Sequence, residues 1–319
     1  MEASATTTSR EAGIAGPGAI ALGSARRRAG EGAIKGVLFA AAIISVVTTV
    51  GIVLALINET VRFFTSVGLF QFLTGTSWEP LFRPASYGVL PLVGGTLLTT
   101  FIALVVAVPL GLASAVYLAE YASQRVRRVL KPVLELLAGV PTIVFGFFAF
   151  AFFTPVVLQD LLKLEISTFN MLSAGIIMGF LILPTVASVA EDAMSAVPAA
   201  LREGAYGMGA TKLQVSTRVV FPAALSGIVA SVVLGFARAV GETMILLLAA
   251  GQLATLTLDP REPGQTFASY IAASQGGEIV QGSLAYSSLF AAGAMLFILT
   301  FIANAISIRF VRKYRQVYE

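Results

Sequence analysis

Long apolar runs separated by short polar connections fill the chain from residue 36 to residue 308. Crossing the hydrocarbon core of a bilayer takes about 20 mainly apolar residues. Six stretches reach that length: 36–58, 89–118, 132–158, 171–190, 224–250 and 284–308. The pattern predicts an all-α membrane protein with six spans. The second, third and fifth stretches exceed the required length, which predicts tilt or kinks. Pro91, Pro109, Pro141 and Pro184 supply kink sites, tolerated in membranes where neighbours satisfy the freed backbone groups. The first run, Val37–Ile57, is too long for a signal-peptide core and no A-x-A-like site follows it, so it reads as a retained span. Residues 1–34, rich in Ala, Gly, Ser, Thr and Arg without apolar periodicity, read as a disordered tail. The expected organisation is that tail, a transmembrane region over 35–310 and a C-terminal tail over 311–319.

Lys and Arg sort the polar connections into two classes. Sixteen of the 21 lie in four segments: the N-terminal tail to Lys35 (Arg10, Arg26, Arg27, Arg28, Lys35), the second connection (Arg125, Arg127, Arg128, Lys131), the fourth (Arg202, Lys212, Arg218) and the C-terminal tail (Arg309, Arg312, Lys313, Arg315). The opposite side holds only Arg62, Arg83, Lys163 and Arg261. The positive-inside rule therefore predicts that both termini are cytoplasmic in a multi-pass protein of the cytoplasmic (inner) membrane. This asymmetry also accounts for the net charge of +4, so no nucleic-acid partner is expected. Only 12% of the 319 residues are charged, about half the share usual in soluble domains.

The chain has no Cys and no His. That excludes disulfides, thiol nucleophiles, thiolate or imidazole metal sites, Ser-His-Asp triads and His proton relays. No GxxxxGK[ST] occurs, so the chain has no Walker A phosphate cradle. Neither a catalytic residue nor a metal ligand is expected, and any ATP must be handled by another subunit.

On the outer side, residues 59–88 carry Phe63, Phe64, Phe70, Phe72, Trp78 and Phe82 among polar residues. They read as a short helix lying at the membrane interface, where aromatic rings anchor well. Residues 251–283 contain the turn-rich DPREPGQ and end in a polar segment.

The longest inner connection is EDAMSAVPAALREGAYGMGATKLQVSTRVVFPA, residues 191–223. Ser195 and Pro198 can open a helix that ends near Gly209, and a second can run from Thr211 to just before Pro222. Tyr206, Met208, Leu213 and Val215 are awkward in water. Composition leaves two readings: a helix pair docking into a groove on a soluble partner, or a loop packed on its own span ends. Glu203-Gly204-Ala205, Gly209, Val219 and Phe221-Pro222 resemble the EAA loop of ABC importer permeases, with Glu203 to Gly209 six positions and Gly209 to Pro222 thirteen. Gly204, Val219 and Phe221 stand where that pattern has Ala, Ile and Leu. The resemblance implies a coupling helix near 203–216, with Glu203, Gly204, Ala205, Gly209, Ala210 and Thr211 at the ATPase contact. ATP and Mg would be bound by the partner ATPase and no cofactor by this chain.

Within the fifth stretch, GFARAVGETM (235–244) holds Arg238 and Glu242. Each charge costs about 2.5–3.5 kcal/mol at a bilayer centre on an insertion scale. Four residues apart on one helix, they share a face and can pair, lowering that cost. The pair can be structural, gluing helices together, but intramembrane ionisable groups more often mark substrate paths, and a guanidinium favours an oxyanion through bidentate donors. On that reading Glu242 holds Arg238 between transport events and is displaced by the anion, or accepts a hydrogen bond from a protonated one. Thr243 is a weaker candidate for the same path, because its side chain points about 100° away from Glu242 on the same helix. Thr142 follows Pro141, where a broken helix could offer donors to an anion. Thr96, Thr99 and Thr100 are expected to hydrogen-bond between helices, as is Asn304, while Glu135 faces water.

ELLAGVPTIVFG (135–146), PLVGGTLLTTFIALVVAVPLGLASAVYLAEY (91–121) and GFARAVGETM together resemble the permeases of the phosphate-specific (Pst) ABC importer, of the PstC type, over roughly residues 36–315. The resemblance implies a six-span type I ABC importer permease with a cytoplasmic coupling helix. Arg238 and Glu242 would be its intramembrane charged pair on the phosphate path. Its partners would be a second, PstA-like permease, a PstB-like ATPase dimer, a PstS-like external phosphate-binding protein, inorganic phosphate and the lipid bilayer. A permease for molybdate or sulfate, an ion-driven secondary transporter and a non-transporting scaffold subunit remain as alternatives.

Overall fold

The structure is a computed structural model that describes the backbone of residues 24–277 and 279–314 and the side chains of 31–277 and 279–309. It divides into two units, Met1–Leu54 and Ala55–Glu319. Among the described residues, five helices are long and apolar enough to cross a membrane: Glu31–Phe64, Leu90–Tyr121, Thr142–Leu161, Met171–Ser195 and Leu284–Arg309. A bent pair, Lys212–Ala223 with Leu225–Val240, supplies a sixth, its halves at 72° to one another.

The first unit is described from Ser24 as one helix, α1 (Ser24–Phe64), which ends in the second unit. Apolar residues surround the whole helix between Val37 and Ile57, as expected where lipid is the surrounding medium. Residues 24–34 are helical, which corrects the expected tail over that stretch. Ala and Arg there are strong helix formers, and no proline interrupts them. Residues 1–23 lie outside the described residues.

In the second unit α1 is followed by α2 (Leu69–Thr74) and a two-stranded antiparallel hairpin, β1 (Trp78–Glu79) with β2 (Ser86–Tyr87), in which Trp78 faces Tyr87. Next come α3 (Leu90–Val116), which continues as a π-turn over Tyr117–Tyr121, and α4 (Gln124–Ala138). Then α5 (Thr142–Phe148) runs on as a π-helix to Leu161, and α6 spans Met171–Ser195. Three short helices come next, α7 (Ala199–Gly207), α8 (Lys212–Val215) and α9 (Phe221–Ala223). The last described helices are α10 (Leu225–Val240), α11 (Phe267–Gln275) and α12 (Leu284–Tyr314). α12 carries the helix past residue 310 to Tyr314, and Phe-Val-Arg-Lys-Tyr contains no helix breaker.

α3 and α6 form the centre and run in the same direction. Gly175 faces Thr99 and Ile102, Gly179 faces Ala103 and Val106, and Gly111 faces Val186. A Cβ at Gly179 would fall 2.7 Å from Val106 and 2.9 Å from Ala103 O, so the two glycines four apart on α6 are what let the backbones approach. α10 runs antiparallel to α6, with Gly227 against Ala193 and Gly235 against Ile182 and Val186. One end of this bundle, the loop end, gathers α4 and α7–α9; the other, the far end, gathers α2, the hairpin and α11.

Two prolines act differently from expectation. Pro91 sits in the first turn of α3, where its missing N–H is not needed. Pro141 is extended and separates α4 from α5, so the third span is Thr142–Leu161 rather than 132–158. The predicted span merged the apolar face of α4 with α5, because a running average of hydropathy does not see a backbone break. Pro109 and Pro184 lie inside continuous helices.

The outer aromatics are also rearranged. Phe63, Phe72, Trp78, Tyr87 and Tyr270 pack edge to face with ring centroids 5.2–6.2 Å apart, the arrangement favoured by the ring quadrupole. They form a buried cluster with Phe267 and Leu92, not a row of interface anchors; only Phe70 and Phe82 of the six expected anchors are well exposed. The hairpin turns the rings onto α11. That helix is capped by Thr266 and Ser269 inside a segment expected to be polar connection. Of the three threonines on α3, Thr96 links helices, accepting from Phe267 N at 3.2 Å. Thr99 donates to Gly95 O of its own helix, and Thr100 Oγ1 is buried without a partner.

Candidate functional site

The fifth apolar stretch is not one helix. α10 ends at Val240, Gly241 caps it by donating its N–H to Ala237 O at 3.3 Å, and a short helical segment resumes at Met244 and runs to Ala250. The break arises from Glu242. Its Oε1 accepts from Met244 N at 3.0 Å and Ile245 N at 3.3 Å, so a side chain takes the donors that a continuous helix would send to its preceding turn. A buried carboxylate is thereby satisfied by backbone N–H groups of the segment it starts.

The expected Arg238–Glu242 ion pair is absent among the described residues. The expectation assumed helical geometry through residue 242, and the chain leaves the helix at Gly241. Arg238, half-buried, instead donates from Nη1 to Thr185 Oγ1 on α6 at 3.1 Å, and that is its one hydrogen bond among the described residues. Thr185 was missed in the sequence; the available signal was a threonine directly after Pro184 in an apolar span, the same signal that singled out Thr142.

Thr142 opens α5 immediately after the Pro141 break, and Thr243 Oγ1 donates to Gly241 O at 3.3 Å. Gly146 on α5 abuts the resumed segment: a Cβ there would lie 3.0 Å from Met244 O and 3.1 Å from Ile245 Cα. Thr142, about one helical turn before Gly146, therefore lies near the level of the Gly241–Thr243 break. No hydrogen bond joins Thr142 or Thr243 to Arg238 among the described residues.

At the loop end, the segment 191–223 combines packing on its own span ends with an outward apolar surface. Ala205, Val215 and Val220 are buried with Met194 and Val197 against the ends of α3 and α6. Leu201, Tyr206, Met208 and Leu213 face outward, Met208 at 85% exposure. Glu203 and Gly204 are exposed on α7. Gly209 ends the first helix at φ 82°, the left-handed conformation that glycine takes without penalty. Ala210 N reaches back to Ala205 O at 3.1 Å. Thr211 and Gln214 form a reciprocal capping box on α8. The second helix was expected to be regular up to Pro222. It is α-helical only to Val215 and passes through a π-turn, Ser216–Val220, into α9. Ser195 does not cap α7; it is the last residue of α6, and Pro198 precedes α7 in extended form.

Three cations fasten the loop end: Arg202 from the loop, Arg127 and Lys131 from α4. Arg202 donates to Glu120 Oε1 at 3.0 Å and to the Met194 and Val197 carbonyls at 2.7 and 2.5 Å, so it adds a charged donor at the C-terminus of α6 and satisfies a carbonyl just beyond it. Arg127 and Lys131 of α4 both bind Glu191, whose side chain is fully buried, with Lys131 Nζ at 2.7 Å. Ser195 Oγ donates to Glu191 Oε1 at 2.9 Å. Hydrogen bonds to Asp192 and Glu191 hold the Lys131 ammonium above the usual lysine range. Glu191 was not singled out in the sequence, although an acidic pair flush with the end of an apolar run was visible. Glu135, on the same helix α4, is exposed, as expected.

Comparison with known proteins decides the family. The model for "Binding-protein-dependent transport system inner membrane component" matches residues 107–316. The chain belongs to this family of ABC importer permeases. The permease is 34% identical over 285 residues to the phosphate transport system permease protein PstC of Mesorhizobium japonicum, covering 84% of this chain and 86% of that one. It is 32% identical over 283 residues to the probable ABC transporter permease protein YqgH of Bacillus subtilis, covering 88% and 90%. In fold it is similar to a chain of a bacterial alginate ABC transporter crystallised with an alginate-bound periplasmic protein, at TM-score 0.61 and 16% identity, covering 86% of this chain and 95% of that one. The matched residues of the permease include the whole 191–223 loop, both breaks, and Thr142, Arg238, Glu242 and Thr243.

Proposed function

We propose that this permease conducts inorganic phosphate inward across the cytoplasmic membrane as the PstC-type subunit of a phosphate importer. Its partners are a PstA-like permease, a PstB-like ATPase dimer that holds ATP and Mg, and a PstS-like external phosphate-binding protein. The loop end faces the cytoplasm, in keeping with the Lys and Arg asymmetry, and both termini lie on that side. The chain itself catalyses no reaction.

The observation that carries this reading is Arg238: a half-buried guanidinium in a spanning region whose one hydrogen bond among the described residues goes to a neutral hydroxyl. Such a cation has donors free for an oxyanion, and in a low-dielectric setting a phosphate oxygen is a much stronger acceptor than Thr185. Because Glu242 is engaged by Met244 N and Ile245 N, phosphate need not displace it from Arg238. Thr142 and Thr243 offer hydroxyls near the same level. The outward Tyr206, Met208 and Leu213, with Glu203, Gly204, Ala205, Gly209, Ala210 and Thr211 around them, form the contact through which ATP-driven closure of the ATPase pair swings the two permeases.

The test is labelled phosphate uptake into vesicles holding the reconstituted complex. Arg238→Ala lowers uptake at least tenfold, the loss of one charge-assisted contact of about 1.5–3 kcal/mol, while the four-part complex still assembles. Normal uptake by an assembled Arg238→Ala complex would overturn the pathway. Uptake that excess unlabelled phosphate leaves intact but sulfate or molybdate blocks would overturn the substrate.

A further inference from the structure

Helix α4 is held on one flank and bare on the other. Arg127 and Lys131 tie it to Glu191 and Asp192 of α6. On the opposite flank Val126, Val129, Val133 and Leu136 are exposed, Val129 at 63% and Leu136 at 73%. At 100° per residue these four fall within an arc of roughly 80°, a continuous apolar stripe centred away from α6. Arg125 and Arg128 are exposed and take part in no ion pair among the described residues. Arg125 lies roughly 20° from Leu136 around the helix, at the border between the stripe and the polar face.

The span that comes next in the chain constrains the position of α4. Only Gly139, Val140 and Pro141 separate its end from the spanning helix that begins at Thr142. Three residues reach about 10 Å at most, so the C-terminal end of α4 stays close to the start of that span. A helix of this kind, with an apolar stripe, a basic border and a covalent tether at the bilayer, fits a leaflet boundary. The stripe enters the acyl region while the Arg125 stem at its border lies along it and lifts the guanidinium group to the headgroups, with Arg128 above on the polar face.

We propose that α4 is a membrane-surface helix whose Arg125 and Arg128 bind the phosphates of anionic phospholipids in the leaflet at the loop end. Arg125 at the edge of the apolar stripe, with Arg128 roughly 80° from Leu136 further round the polar face, complements an anionic headgroup above its acyl chains. The lipid thereby braces the helix that carries the Arg127–Lys131–Glu191 connection. Lipid binding at α4 does not depend on which solute the permease conducts.

Because the chain contains no cysteine, a spin label on Val129→Cys reports one site in this subunit. The whole complex is placed in bilayer discs of phosphatidylcholine with or without phosphatidylglycerol. The expected result is a label accessible to dissolved oxygen and shielded from a water-soluble nickel chelate. Phosphatidylglycerol retained by the purified complex, read by mass spectrometry, falls roughly fivefold for each cation removed in Arg125→Gln and Arg128→Gln, the effect of about 1 kcal/mol per basic residue at an anionic surface. A label open to the chelate, or one immobilised and shielded from both reagents as in a contact with another subunit, overturns the proposal. So does equal phosphatidylglycerol retention by wild type and the double variant.

Discussion

Replacing Glu242 separates two roles that coincide at one residue. As a cap, its Oε1 holds Met244 N at 3.0 Å and Ile245 N at 3.3 Å. Hydrogen bonds to a charged acceptor contribute about 1.5–3 kcal/mol each, and the longer of these two contributes at the low end. Away from water the freed N–H groups find no substitute partner. Because the two bonds share one acceptor oxygen they contribute less than their sum, and Glu242→Ala destabilises the segment 244–250 by about 2–4 kcal/mol. Glu242→Gln keeps an acceptor oxygen in place and loses only the charge-assisted part, about half of that. Hydrogen–deuterium exchange of a peptide covering Met244 and Ile245 reads the difference directly. At a tenfold change per 1.36 kcal/mol, exchange accelerates roughly 30- to 1,000-fold in Glu242→Ala and by the square root of that factor in Glu242→Gln. Phosphate uptake keeps the same order, with Gln retaining more activity than Ala. Equal loss in the two variants, with unchanged exchange in both, would show that the negative charge acts on Arg238 or the substrate and would refute the capping account.

The loop end yields two further outcomes. Changing both Arg127 and Lys131 to Met leaves the buried Glu191 carboxylate without a cation and costs about 3–5 kcal/mol, seen as a lower melting temperature of the purified complex. Adding Glu191→Leu restores most of that loss; failure of this rescue refutes the assignment, and the cost belongs to the buried carboxylate because both cations are partly hydrated. In the coupling loop, a side chain at Gly204 meets nothing within 4 Å, so Gly204→Ala is neutral or stabilises α7 by up to about 1 kcal/mol. Gly209→Ala forces an L-residue to φ 82° and destabilises by about 1–2 kcal/mol. Melting and transport-coupled ATP hydrolysis together check the order, and the reverse order contradicts it.

Several features of the permease were legible along the chain because they depend on local composition. Bilayer thickness imposes a run length, so stretches such as 171–190 and 284–308 announce α6 and α12 without knowledge of their neighbours. The spacing of Glu203, Gly209 and Pro222 is likewise local, and Gly209 takes the left-handed turn that its position between two helices requires. Arg238 stood out because a cation amid apolar residues is conspicuous wherever its helix packs.

The sequence alone determined the set of apolar helices, the loop motif and the one cation within the membrane-spanning region, since each depends on residues within a few turns of one another. Only the tertiary structure decided where those helices break and what their polar groups touch. Pro141 and Glu242 interrupt runs that hydropathy reads as continuous, because hydropathy weighs side chains and is blind to which oxygen holds a backbone N–H. The partners Arg238–Thr185, Lys131–Glu191 and Arg202–Glu120 join residues 53, 60 and 82 positions apart. Such pairs come about when parallel α3 and α6 close on their small residues and bring the other helices against them. No spacing along a single chain encodes that approach, which is why the expected Arg238–Glu242 pair, reasonable on one continuous helix, gave way to two separate sets of contacts.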